Sequence, residues 1–188
     1  MTRIISGDLR GREIKVPNSV TRPTASRVRE AIFSAVQHAL AGFDDLRVLD
    51  LYAGSGACAI ESISRGASDA VAIEKDNRAA EVIRTNATTL KIDNLRVVAM
   101  DVSVALHGQP QFGKFDLVFI DPPYALGDQV IAGELEFLAN GWLEDGAVVV
   151  VERDKNSKFE IPNSYTEISR KVYGDTSVWY GQYEQNDN

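Results

Sequence analysis

Residues 47–59, Arg47-Val48-Leu49-Asp50-Leu51-Tyr52-Ala53-Gly54-Ser55-Gly56-Ala57-Cys58-Ala59, read as a buried strand, a glycine turn and the opening of a helix. The apolar run suits a strand covered on both faces. The glycines allow positive φ and close approach of a ligand to the backbone. The unit then repeats. A helix is expected over 58–64, ended by Arg65-Gly66, and a strand over 70–74. Asp76 is a candidate N-cap for a helix through Leu90, with Ala79, Val82, Ile83, Ala87 and Leu90 on its buried stripe. Strands follow over 95–99 and 115–120, a helix over 129–139 and a strand over 147–151. The tail breaks the rhythm: runs 165–173 and 177–183, joined by Gly174-Asp175, read as an antiparallel hairpin. Upstream, 3–16 reads as a small hairpin and 26–40 as a helix with Val28, Ile32, Ala35, Val36 and Ala39 at helical spacing. This order predicts an α/β fold with a doubly wound, mostly parallel seven-stranded sheet and a C-terminal antiparallel hairpin. A small N-terminal β-hairpin and helix precede it. The expected division is a basic arm over 1–24 and a main domain over 25–188.

In such sheets ligands bind beyond the carboxyl ends of the strands, and four successive ends here carry suitable groups. Asp50 ends the first strand and precedes Gly54 and Gly56. Glu74 ends the next, 20 residues after Gly54, where a carboxylate can accept both hydroxyls of a ribose. The segment Gly54-Ser55-Gly56-Ala57-Cys58-Ala59 also satisfies the dinucleotide pattern G-x-G-x-x-A. Asp50 tilts the choice, because a carboxylate beside a pyrophosphate repels it. S-adenosylmethionine carries an ammonium and a sulfonium instead, which an acid attracts. Asp101, after the third strand, can accept from an adenine amino group. The fourth end is Asp121-Pro122-Pro123-Tyr124. Proline lacks a backbone N–H and leaves its carbonyl for a partner outside the sheet. Acid, free carbonyl and ring together suit a planar group bearing an amino substituent: adenine, cytosine, guanine or a carboxamide.

Composition narrows the partners. The chain has 188 residues, 44% hydrophobic and 25% charged, ordinary for one soluble globular domain. No apolar stretch is long enough to span a membrane, and the N-terminus has no signal-peptide core, so a cytoplasmic location is expected. The lone Cys58 leaves no internal disulfide, and His38 and His107 have no metal-ligand spacing, so no metal is expected. Net charge is −7, yet residues 1–30 carry seven basic and three acidic side chains, leaving −11 on the rest. A basic arm on an acidic body suits a polyanion gripped at one place. Arg10, Arg12, Lys15, Arg22, Arg27 and Arg29 are the candidates for phosphate contact.

The chain resembles the RsmD family, bacterial methyltransferases with a Rossmann-like class I S-adenosylmethionine-dependent fold. The resemblance rests on Arg3-Ile4-Ile5-Ser6-Gly7, Thr21-Arg22-Pro23-Thr24, Arg27-Val28-Arg29-Glu30, the Asp50–Gly56 turn, Ser64-Arg65-Gly66-Ala67, Glu74-Lys75-Asp76, Asn86 and Asp121–Tyr124. The N-terminal block is the family-specific part. Cys58-Ala59-Ile60 and Glu61-Ser62 depart from the usual pattern on a packed helix. The resemblance implies methylation of the exocyclic N2 of a guanine in 16S ribosomal RNA, in the small subunit or an assembly intermediate. It implies Asp121, Pro122, Pro123 and Tyr124 as the catalytic set. Asp50, Tyr52, Ala53, Gly54, Gly56, Glu74, Lys75, Asp101 and Val102 would line the cofactor, and the N-terminal hairpin would contact RNA. A monomer is expected. An adenine-N6 methyltransferase and a non-catalytic RNA-binding assembly factor are the alternatives.

Overall fold

The structure, a computed structural model, describes residues 1–17, 23–108 and 110–185, and for 23–25 the backbone alone. Two short strands, β1 (Thr2–Arg3) and β2 (Glu13–Ile14), pair antiparallel with Thr2 opposite Ile14. Helix α1 (Pro23–Ala39) starts on a proline, whose missing N–H costs nothing in a first turn. The main unit then runs β3 (Arg47–Leu51), α2 (Ala57–Ser64), β4 (Asp69–Ile73), α3 (Asn77–Leu90) and β5 (Leu95–Val98). It continues α4 (Val102–His107), β6 (Phe115–Ile120), α5 (Asp128–Ala139), β7 (Leu143–Asp154), β8 (Tyr165–Tyr173) and β9 (Thr176–Tyr183). The seven-stranded sheet has the order β5-β4-β3-β6-β7-β9-β8. Strands β3 to β7 are parallel where they pair, while β9 runs antiparallel to both β7 and β8.

Alternation along the central strands divides the core. Val48, Phe119 and Val150 pack beneath α1 with Ile32, Phe33 and Val36. Leu49, Val118 and Val149 pack on the other face with Leu106 of α4 and Ile131 and Leu135 of α5. A small third cluster joins Ile4 and Ile14 of the N-terminal hairpin to Ile60 of α2 and Leu90 of α3. Strand β3 neighbours both β4 and β6, so the chain reverses its winding there. The turn after β3 and the loop after β6 therefore open the crevice in which such sheets bind ligands.

Most expected elements lie within a residue or two of the observed ones. Helix α4 was not anticipated: its six residues are too few for a helical period to show, and its visible signal is the Asp101 cap. Strand β7 is longer than expected, because an irregular entry with a register shift opposite Phe115 and Leu117 precedes its apolar run.

Candidate active site

Tyr52, Gly54 and Gly56 all adopt positive φ, at 59°, 54° and 73°, folding the chain back sharply between β3 and α2. At Gly56 a Cβ would come within 2.7 Å of Ile83 Cγ2, so the glycine also lets α2 pack close to α3. Asp50 Oδ2 accepts the Ala59 N–H at 3.0 Å, tying the end of β3 to the first turn of α2. Burial pushes the Asp50 carboxyl up to about 8; the Ala59 bond opposes this, and Asp121 and Glu74 add to it. The charge expected at Asp50 from sequence is therefore a neutral acid near pH 7 until a cation approaches.

Glu74 Oε2 accepts Gly54 N–H and Oε1 accepts Asp76 N–H, both at 2.8 Å. Each oxygen has a second lone pair to offer, so the carboxylate holds the glycine turn and can still receive ribose hydroxyls. Asp101 Oδ1 caps α4 through Ser103 N at 3.0 Å and accepts Ser103 Oγ–H at 2.8 Å. Its pKa is lowered, chiefly by the Ser103 hydroxyl. The other oxygen, 3.9 Å from the exposed Lys75 ammonium, remains open to a further donor. Val102, buried at the start of α4, supplies an apolar wall. Ala53 lies buried in the turn, and the Tyr52 hydroxyl donates to Glu134 Oε1 at 2.6 Å. Left-handed glycines, a hydroxyl acceptor and an acceptor–apolar pair in this order match what S-adenosylmethionine presents.

Asp121 continues β6 at the mouth of the crevice. Among the described residues its carboxylate has no hydrogen bond or ion pair. It opens to the cleft, yet the protein crowded around it pushes it up to about 6 against the pull of Arg153. Pro122 is buried, and its carbonyl accepts no hydrogen bond among the described residues, whereas the Pro123 carbonyl accepts Leu126 N–H at 2.9 Å. Tyr124 leaves 56% of its surface exposed, its hydroxyl 3.2 Å from Thr176 Oγ1. The loop thus presents an acid, a bare carbonyl and an open aromatic face.

Three residues escaped the sequence reading. Arg153, buried on β7, donates to Asp128 Oδ1 at 3.0 Å and to the Leu126 carbonyl, fixing the loop from behind. Glu134 on α5 anchors Tyr52. Glu152 ends the apolar run Val148–Val151 of β7, and the strand-end argument applied to the other four strands would have found it.

The arm is docked as well as exposed. Glu61 accepts Ile5 N–H at 2.7 Å and Ser6 N–H at 3.0 Å, and Arg65 Nε donates to it at 2.9 Å. Asn86 accepts Lys15 N–H and donates to the Lys15 carbonyl, both at 2.9 Å, and reaches the Ser55 carbonyl at 3.3 Å. The Arg10, Arg12, Lys15 and Arg27 residues are exposed. Arg29 differs from expectation: its guanidinium donates to Thr2 Oγ1 at 3.1 Å and to the Arg3 carbonyl at 2.6 Å, clamping the hairpin to α1. Arg22 lies outside the described residues, as does the side chain of Thr24.

Sheet order, glycine turn and acid–Pro–Pro–aromatic loop together define a class I S-adenosylmethionine-dependent methyltransferase. Residues 2–182 match the family described as conserved hypothetical protein 95. Ribosomal RNA small subunit methyltransferase D of Escherichia coli K12 is 36% identical over 188 residues, 97% of this chain and 89% of the relative. The Haemophilus influenzae protein of the same name is 34% identical, covering 92% of this chain and 89% of its own. The solved structure of yhhF from Escherichia coli superposes with a TM-score of 0.85 at 35% identity, over 98% of this chain and 99% of that one. The chain belongs to this family, the RsmD methyltransferases.

Proposed function

We propose that the protein transfers a methyl group from S-adenosylmethionine to the exocyclic N2 of a guanine in 16S ribosomal RNA of the small subunit. The observation carrying this reading is the Asp121 carboxylate beside the Pro122 carbonyl, both without a hydrogen-bond partner among the described residues: two acceptors at the mouth of the crevice that the glycine turn also lines. The names of the relatives point to small-subunit RNA, and guanine N2 rests on the family resemblance. Asp50, Tyr52, Ala53, Gly54, Gly56, Glu74, Lys75, Asp101 and Val102 are assigned to the cofactor. Residues 1–24 are read as the RNA-contacting arm, with Arg10, Arg12, Lys15 and Arg22 on phosphates, joined by Arg27 of α1. Arg29 acts through the hairpin it clamps. A cytoplasmic monomer working on the small subunit or an assembly intermediate completes the proposal.

S-adenosylmethionine, when bound, supplies an electrophilic methyl group. The amino nitrogen of guanine is a poor nucleophile because its lone pair is delocalised into the ring. Asp121 and the Pro122 carbonyl accept its two N–H bonds and turn the lone pair out of conjugation, and Tyr124 stacks on the base. Most of the gain comes from orientation and charge placement. After transfer the nitrogen carries one proton too many, and Asp121 receives it. The base must leave its stack to enter. Incubation with tritiated S-adenosylmethionine and undermethylated small subunits, followed by mapping of the label, tests the reading. Label on guanine N2 is expected. Label on adenine N6 or on protein overturns the substrate, and RNA binding without S-adenosylmethionine binding favours an assembly factor.

A further inference from the structure

Asp121 and the Pro122 carbonyl satisfy an amino group, and an amino group alone does not distinguish guanine from adenine. The carboxylate next to them supplies a difference. Strands β6 and β7 are parallel with Phe119 beside Val150 and Ile120 beside Val151. One residue further on, Asp121 follows the end of β6 and Glu152 lies next to it within β7, about 4.8 Å away at the usual spacing of paired strands. Phe119 and Val150 both pack beneath α1, so by alternation Asp121 and Glu152 project to that same side. Glu152 is half-buried and, among the described residues, has no hydrogen bond or ion pair. A carboxylate kept unpaired at such a place is costly unless a ligand supplies donors.

We infer that Glu152 reads the base: its carboxylate accepts the N1–H of guanine alongside the N2 amino group held by Asp121 and the Pro122 carbonyl. This rests on the substrate reading above. The Watson–Crick edge of guanine places three hydrogens on adjacent nitrogens, two on N2 and one on N1. Asp121, Pro122 and Glu152 provide three acceptors. An adenine presenting its amino group to Asp121 would turn the N1 lone pair toward Glu152, acceptor against acceptor. Among the described residues the other titratable groups around Glu152 are Asp121 just beyond β6, Asp50 on β3, Cys58 on α2 and Tyr180 on β9, and Arg29 of α1 acts on Cys58. Burial first, then Asp121 and Asp50, push the Glu152 carboxyl up to about 8. The N–H donors of guanine favour its ionised form, whereas the protonated acid can donate to a bare N1.

The test replaces the mapped target guanine in small subunits with 2-aminopurine, which keeps the C2 amino group but has an unprotonated N1. Single-turnover transfer is measured for the wild type, Glu152→Gln and Glu152→Asp, with S-adenosylhomocysteine binding and melting curves reporting an intact fold. Assayed above about pH 8, where the Glu152 carboxyl is ionised, the wild type should favour guanine by about 100-fold or more. Glu152→Gln, whose amide can donate to N1, should bring the ratio within about tenfold. Glu152→Asp should keep the wild-type preference. Equal slowing of both substrates by Glu152→Gln, or an unchanged ratio, overturns the assignment. Should Glu152→Gln not fold, the wild-type ratio is followed with pH: it should shrink as pH falls through about 8, and a flat ratio overturns the assignment. Wild-type protein that labels unsubstituted subunits somewhere other than guanine N2 overturns the substrate reading itself, and is recognised before any variant is made.

Discussion

Replacing Glu61 by alanine should release the N-terminal hairpin while leaving the sheet intact. Glu61 is 1% exposed and accepts the N–H groups of Ile5 and Ser6 at 2.7 and 3.0 Å. It also neutralises Arg65, whose guanidinium lies over the rings of Phe33 and Phe43. Truncation orphans two donors at ~1–3 kcal/mol each and strands a largely buried cation. Relaxation of the hairpin into water recovers part of that, so the net cost is about 3–5 kcal/mol. For a domain of this size each kcal/mol lowers Tm by roughly 2–4 °C, giving a fall on the order of 10 °C. Glu61→Gln keeps an acceptor and loses the charge, and should cost about half as much. Urea denaturation gives the magnitude, and hydrogen exchange at Ile5 and Ser6 gives the location. If the Glu61→Ala change costs less than about 1 kcal/mol and both amides stay protected, the hairpin is held by something other than Glu61. On the proposed function, the same variant should bind RNA more weakly while its affinity for S-adenosylhomocysteine barely moves.

Asp121→Ala should keep S-adenosylhomocysteine affinity within about threefold and lower methyl transfer by roughly 10²–10³-fold or more; lost cofactor binding with transfer retained would contradict its assignment. Charge reversal at both Arg10 and Arg12 should weaken RNA binding and flatten its dependence on log salt by about 0.7–0.9 for each phosphate no longer neutralised. An unchanged slope removes the arm from the interface. Gly56→Ala meets Ile83 at 2.7 Å on a φ of 73° and should cost about 1–2 kcal/mol from the left-handed backbone alone, with weaker cofactor binding by calorimetry. Asp50 binds its proton more tightly folded, at about 8, than unfolded, at about 4. Its stabilising contribution is therefore complete at low pH and is lost as pH rises across that window. Asp50→Asn, which can still accept from Ala59 N–H, should flatten that part of the stability profile, and chemical denaturation between pH 5 and 9 reads it.

The strand ends were legible because each combines a short apolar run with one polar residue that the run cannot bury unaided. Asp50, Glu74, Asp101 and Asp121 stood out on that ground, and alternating strands and helices bring them to one edge of the sheet. What stayed hidden was which neighbours those groups already serve. Glu74 spends one lone pair of each oxygen on backbone amides. These bonds span 2 to 20 residues in sequence and leave no periodic trace. Arg29 lay off the helix stripe and so read as free. Its partners, Thr2 and the Arg3 carbonyl, sit 26 to 27 residues away, and only the packing of Ile4 and Ile14 on Ile60 brings them near.

Asn86 links the arm to the crevice, and neither end of that link was readable alone. Asn86, 3% exposed, satisfies both backbone groups of Lys15 as a neighbouring strand would, and its amide also reaches the Ser55 carbonyl between the two glycines. An apolar residue at this point of α3 would bury the same area and leave three backbone groups unmatched. The helical pattern makes Asn86 look like a polar interruption between Ile83 and Ala87. Only when β2 is laid beside α3 does the interruption acquire a cause: the glycine turn and the basic hairpin are built against the same buried amide. A polar residue inside an apolar stripe thus marked the junction between the glycine turn and the basic hairpin, a signal that periodicity records as a defect and hydrogen-bond accounting explains.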